Sequence, residues 1–141
     1  MIRALLSVLL LAALAPVETR ALDATRAGVL SGEEFEEFAE GQTLRFEQNG
    51  RFFGAEQFFS GRRSLWQYSD GTCEYGQWYE ANGLICFTYE SSPDPQCWRV
   101  LQYGNGLAVQ LFMNGTPTGS VATLTSRDSD PLPCPGPRVG S

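Results

Sequence analysis

Residues 72–113 read TCEYGQWYEANGLICFTYESSPDPQCWRVLQYGNGLAVQLFM, and their alternation decides the fold. Asn82-Gly83 is a pair that two-residue hairpin turns favour, because both central positions need positive φ. Folding the chain there sets Trp78 opposite Phe87, Tyr79 opposite Cys86 and Gln77 opposite Thr88. The loop from Ser91 to Pro95 lets Cys86 face Cys97 and Ile85 face Trp98. A turn at Asn105-Gly106, with slight slack, brings Val100 to Leu111 and Trp98 to Met113. The three hairpins then agree on one apolar face: Trp78, Ile85, Phe87, Tyr89, Trp98, Val100, Val109, Leu111 and Met113. A slip of one residue in any strand would send its whole set to the other side, so agreement of this kind is what a real sheet requires. The opposite face carries Tyr79, Thr88, Cys86, Cys97, Arg99, Leu101, Tyr103 and Gln110 and is more polar.

Outward from this ribbon, Asn49-Gly50, Asp70-Gly71 and Asn114-Gly115 are further turn pairs, and Ser60-Gly61 adds a break. Strands are expected near 43–48, 51–59, 64–69, 72–80, 84–90, 96–103, 107–113 and 119–125. The expected fold class is all-β: an antiparallel meander of about eight strands, an up-and-down barrel or curled sheet, preceded by one short N-terminal helix. Phe52-Phe53 and Phe58-Phe59 are adjacent pairs that alternation sends to opposite faces. A bulge near Gly54, or burial of both faces, accounts for them. The helix is expected over 32–39. Ser31 is its N-cap, Glu34 completes a capping box, and Leu30 can pack on Phe35 as a hydrophobic staple. Phe35, Phe38 and Ala39 form its apolar stripe, and Gly41 ends it.

The chain ends read differently. Arg3 followed by the apolar run from Ala4 to Ala15 has the form of a signal peptide, too short to span a bilayer comfortably. Residues 1–21 are therefore expected to be removed, leaving a single β domain over 22–129 and a Pro-rich tail over 130–141. Residues 22–30 read as a short exposed leader. The four cysteines, Cys73, Cys86, Cys97 and Cys134, all fall in the mature part, and an even number in a small exported domain implies disulfides. Sequence alone leaves three pairings open; the register favours Cys86 with Cys97, which leaves Cys73 with Cys134. The expected location is the periplasm or the medium, with no membrane span after signal cleavage.

Composition narrows the chemistry. The formal net charge is −6, and removal of Arg3, Glu18 and Arg20 with the leader takes it to roughly −7. Nucleic acid is therefore not an expected partner, since phosphate binding needs clustered Lys or Arg. The chain contains no His and no Lys. The usual partners of a Ser or Thr nucleophile, Schiff-base chemistry and His-ligated zinc are all excluded. No cofactor and no metal are expected. Carboxylates remain, with Glu74, Glu80, Glu90, Asp94 and Glu56 as candidates, but strand-edge carboxylates are ordinarily solvated. Glu33, Glu34, Glu36, Glu37 and Glu40 read as a solvated helix face, and Arg62-Arg63 as a solvated loop.

The motif Gly71-Thr72-Cys73-x-x-Gly76-x-Trp78, then Ile85-Cys86-Phe87-x-Tyr89-Glu90, then Pro95-Gln96-Cys97-Trp98, resembles a group of small exported proteins of alphaproteobacteria. The resemblance covers residues 71–98 and implies a periplasmic or secreted β domain, with no activity attached. By architecture alone the chain is also similar to calycin-like barrels. The expected function is that of a non-catalytic binding module, not an enzyme, monomeric, meeting an unknown protein or envelope component. Its expected contact residues are Tyr75, Tyr79, Arg99 and Tyr103, which fall outside the core face and are of types enriched at interaction hot spots. The alternative is a carrier of a small hydrophobic ligand, held in an interior pocket lined by Phe53, Trp66, Trp78 and Trp98.

Overall fold

The computed structural model describes residues 28–136. The signal peptide expected over 1–21 lies outside the described residues, as does the end of the tail from 137 on. Within them the order is β1 (Gly28–Val29), α1 (Gly32–Ala39), β2 (Thr43–Gln48), β3 (Arg51–Phe59), β4 (Arg63–Tyr68), β5 (Cys73–Ala81), β6 (Leu84–Tyr89), β7 (Ser92–Tyr103), β8 (Gly106–Met113) and β9 (Thr116–Asp128). Strands β2 to β9 pair antiparallel in sequence, and β9 returns to β2, so the meander closes into an eight-stranded barrel. Strand β1 adds to β7 through Gly28 opposite Gln102 and Val29 opposite Leu101. The stretch read as an exposed leader is therefore partly structural: Leu30 is buried, and its N–H donates to the Val100 carbonyl at 2.9 Å.

The central registers match the alternation. Trp78 faces Phe87, Tyr79 faces Cys86, Ile85 faces Trp98 and Cys86 faces Cys97. The β7–β8 pairing is two residues from the expected one, with Val100 opposite Val109 and Trp98 opposite Leu111. The turn takes Gly104-Asn105, with Tyr103 paired to Gly106, and needs no slack. Because the shift is even, every side chain keeps its face. Two residues leave the expected core: Met113 stands beyond the Trp98 row at the barrel rim, 62% exposed, and Leu111 is half-buried outside the core cluster. Asn49-Gly50, Asn82-Gly83 and Asn114-Gly115 all have positive φ at both positions. Asp70-Gly71 does not; only Gly71 does, and Asp70 instead accepts from the Thr72 N–H and hydroxyl at 2.9 and 2.6 Å. Strand β7 starts earlier than expected because Pro93 and Pro95 fall in a bulged edge region where no ladder N–H is required of them.

The helix spans the expected residues with its capping box formed. Phe35 enters the bore and meets Phe58 at 5.4 Å and Trp78 at 5.1 Å between ring centroids, both edge-on. Arg62 is not a solvated loop residue. It donates twice to Glu36, at 2.9 and 3.1 Å, and lies 4.7 Å above the Trp78 ring. The other surprise is outside the barrel. Residues 130–136 run back over β3, β4 and β5, where Leu132 packs with Ala55 and Leu65, beside Phe59 and Tyr75. Thr43 donates to the Asp130 carbonyl at 2.6 Å, and the Leu132 N–H donates to Gln57 at 3.0 Å. Cys134 then bonds Cys73, and Cys86 bonds Cys97.

By chain entropy alone, the Cys73–Cys134 bridge, with a separation of 61 residues, contributes about 4 kcal/mol and the shorter one about 3. Replacing Cys73 and Cys134 together by Ala is expected to cost about 2–5 kcal/mol and to open the 130–136 segment to limited proteolysis. The corresponding pair at Cys86 and Cys97 should leave that segment resistant. Ser31→Ala is expected to lower the urea midpoint by an amount worth about 1 kcal/mol at unchanged slope.

Candidate functional site

The turns after β3, β5 and β7 stand at the barrel end that α1 closes. The far end is not closed in this way. Between Phe35 and that mouth lies a cavity of about 250 Å³. Its floor and sides are apolar, from Phe35, Phe46, Phe58, Phe87, Val100 and Val109. Phe53, Trp66 and Trp98 form the upper wall, and Glu56, Tyr68, Ser69, Tyr89 and Gln96 supply polar atoms. A more open recess lined by Gln48, Asn49, Arg51 and Phe52 shares Phe53 and Ser69 with it.

Local sequence explains the shape. Strand β3 bulges between its pairings of Phe52 with Glu47 and Gly54 with Phe46. The extra residue, Phe53, turns inward, while Phe52 is 49% exposed; this is the bulge expected near Gly54. Two glycines let large rings lie against the wall instead of across the bore. A Cβ on Gly54 would stand 2.1 Å from the Trp66 ring, and one on Gly76 would stand 2.7 Å from the Tyr89 ring. Phe53 packs edge-on to Trp66 and Trp98, at 5.6 and 6.2 Å.

Glu56 and Glu74 both pair with Trp66 across the sheet, so all three face inward. The expectation that these carboxylates are solvated is corrected: Glu56 is 4% and Glu74 8% exposed. Their environments differ. Tyr89 donates to both oxygens of Glu56, 3.1 Å to each. Burial pushes Glu56 from 4.5 up to about 7, against the neighbouring Ser64 and Tyr89 hydroxyls. Ser64 Oγ is close enough to lower that pKa, yet it is buried with no partner in hydrogen-bonding geometry. Glu74 is also pushed up by burial, but the Ser91 N–H and the Tyr68 hydroxyl outweigh this and leave it lowered. Tyr68 in turn is raised to about 12 by that bond. Glu80 stands at the closed end and accepts from the Gly32 N–H, anchoring α1, while Glu90 and Asp94 are exposed.

Of the residues expected to line an interior pocket, Phe53, Trp66 and Trp98 do. Trp78 is interior but packs under Arg62 and against Phe35, away from the cavity. Tyr75, Tyr79, Arg99 and Tyr103 are on the outer surface and do not converge. Tyr75 belongs to the cluster beneath Leu132, Arg99 stacks 4.5 Å over Phe112, and Tyr103 covers Gly106. Only Tyr79 and Arg99 flank the Cys86–Cys97 bridge. Glu56 and Tyr89 as a pocket pair were not legible in the sequence. The signal was Gly54 and Gly76, each two residues from an inward side chain and each leaving room for a neighbouring ring.

Fold and site together define a disulfide-tied closed β-barrel with an apolar, polar-tipped interior. No family model, curated protein or solved structure matches the chain.

A buried acid with a raised pKa links stability to pH. The native state keeps its proton up to about 7, whereas the ordinary group loses it near 4.5. Glu56 therefore leaves stability intact below 4.5, erodes it as pH rises, and has its full cost above 7, on the order of 3 kcal/mol. The other shifted carboxyls, Glu34, Asp70, Glu74 and Asp128, are lowered and titrate below this window. Urea midpoints measured at pH 5 and pH 8 should fall for the native chain and stay level for Glu56→Gln.

Proposed function

We propose that the protein is a non-catalytic carrier that holds a small hydrophobic ligand inside its barrel, in the periplasm or outside the cell. The cavity carries this reading. Eight-stranded barrels are either filled by their side chains or hold one small ligand, and about 250 Å³ is left here. A cavity of ~150 Å³ with apolar walls already binds benzene. The reading that rests on an outer contact patch has less support, because Tyr75, Tyr79, Arg99 and Tyr103 are spread along the outside. A carboxylate-based reaction is also less supported. Glu74 is engaged by Tyr68 and Ser91, and Trp66 stands between it and Glu56 in the sheet. Two intramolecular disulfides favour an oxidising compartment. No helix among the described residues is long and apolar enough to cross a membrane. The resemblance to exported alphaproteobacterial proteins points the same way.

Titration with toluene or 1-hexanol should change tryptophan emission saturably, since Trp66 and Trp98 line the cavity. Val109→Phe, which fills the same space, should abolish the change while the protein stays folded by circular dichroism. Absence of a saturable response to either compound in the native protein would remove the carrier reading.

A further inference from the structure

The carrier reading leaves the head group of the ligand open, and the polar atoms of the cavity address it. We infer that the cavity takes an apolar ligand ending in a protonated amine, with Glu56 and Tyr89 as its head-group site. The inference rests on the carrier reading.

The chain has no Lys and no His, and among the described residues no Arg lines the cavity; Arg51 lines the adjoining recess and is exposed. The polar lining is therefore one carboxyl, hydroxyls and one amide. A ligand carboxylate would have to sit near Glu56 with no cation to balance either group, and burying unpaired charge is costly. An ammonium supplies the missing charge. A carboxylate offers about four acceptor positions, and Tyr89 uses a single shared proton on Glu56. Glu74, by contrast, accepts from Tyr68 and Ser91 and does not line the cavity, so Glu56 is the acid open to a ligand there. The buried Ser64 hydroxyl beside it has no partner in hydrogen-bonding geometry. The wall adds to the preference, since aromatic rings attract cations and Phe53, Trp66 and Trp98 line the cavity. Scaled from a six-carbon aromatic in ~150 Å³, the volume suits a ligand of about ten non-hydrogen atoms.

The test uses three probes of equal chain length on the disulfide-intact protein: octylamine, 1-octanol and octanoate, by calorimetric titration at pH 8. Octylamine is expected to bind at least tenfold more tightly than 1-octanol, with octanoate weakest. Glu56→Gln should bring octylamine to within about threefold of 1-octanol, while retained binding of toluene, which has no head group, reports that the pocket persists. If that variant does not fold, the head-group series on the native protein decides alone. Equal affinities, or tighter binding of 1-octanol or octanoate, overturn the amine inference and leave the carrier reading standing. Failure of all three to bind overturns both.

Discussion

Phe35, in the end of the barrel that α1 closes, is the contact on which the rest of the structure depends. A closed meander has no free edge, but its bore must be stoppered or filled. The short helix supplies one ring for that purpose, edge-on to Phe58 and Trp78. The polar contacts around α1 serve this placement. The capping box starts the helix, Glu80 receives the Gly32 N–H, and Arg62 joins Glu36 to the Trp78 face. Since Phe35 stops only one end, the open space is displaced toward the other, and the carboxyl of Glu56 ends up beside it.

The outside of the barrel is organised by a different economy. A single small barrel buries little apolar area, and such domains commonly depend on cross-links. Here the tail adds a second cluster by laying Leu132 over Ala55 and Leu65. Pro131, Pro133 and Pro135 suit an extended strap, because it needs few N–H donors and has little freedom to lose. The Cys73–Cys134 bond fastens its end. Tyr75 and Phe59, which read from sequence as surface groups or ambiguous ones, are explained by this cover.

Much of the fold was legible from residue types and their spacing, and the failures have physical reasons. The pairings of β5, β6 and β7 could be read because Asn82-Gly83 fixes one turn and the cysteines fix the next register. The β7–β8 turn is ambiguous in sequence because Gly104, Asn105 and Gly106 all suit a turn, and only the backbone shows which pair is used; an even shift leaves the faces unchanged. In β3, the adjacent Phe pairs and the bulge hid the direction of Glu56. A bulge reverses the meaning of odd and even positions, and nothing in the local sequence counts the extra residue. The strap reads from sequence as an extended tail pinned by Cys134 to Cys73, which the structure shows, but where Leu132 lands depends on contacts far away in sequence.

A buried acid is a costly thing for a small barrel to keep. An apolar residue at position 56 would pack against Phe58 and Trp66 without a desolvation penalty, and replacing buried polar groups in this way is often stabilising. Nor does Glu56 anchor a neighbouring element, as Glu80 and Glu36 do. Its protein partners are the hydroxyls of Tyr89 and Ser64, one shared between both oxygens and the other not properly engaged. Structural carboxyls tend to look like Glu74, with a separate donor on each oxygen and the ionised form favoured. Glu56 is instead undersatisfied, next to open volume, and surrounded by rings that two glycines hold back from filling the space. Those features cost stability separately, and the proposed ligand, as a further partner for the acid inside the cavity, is the reading that accounts for them together.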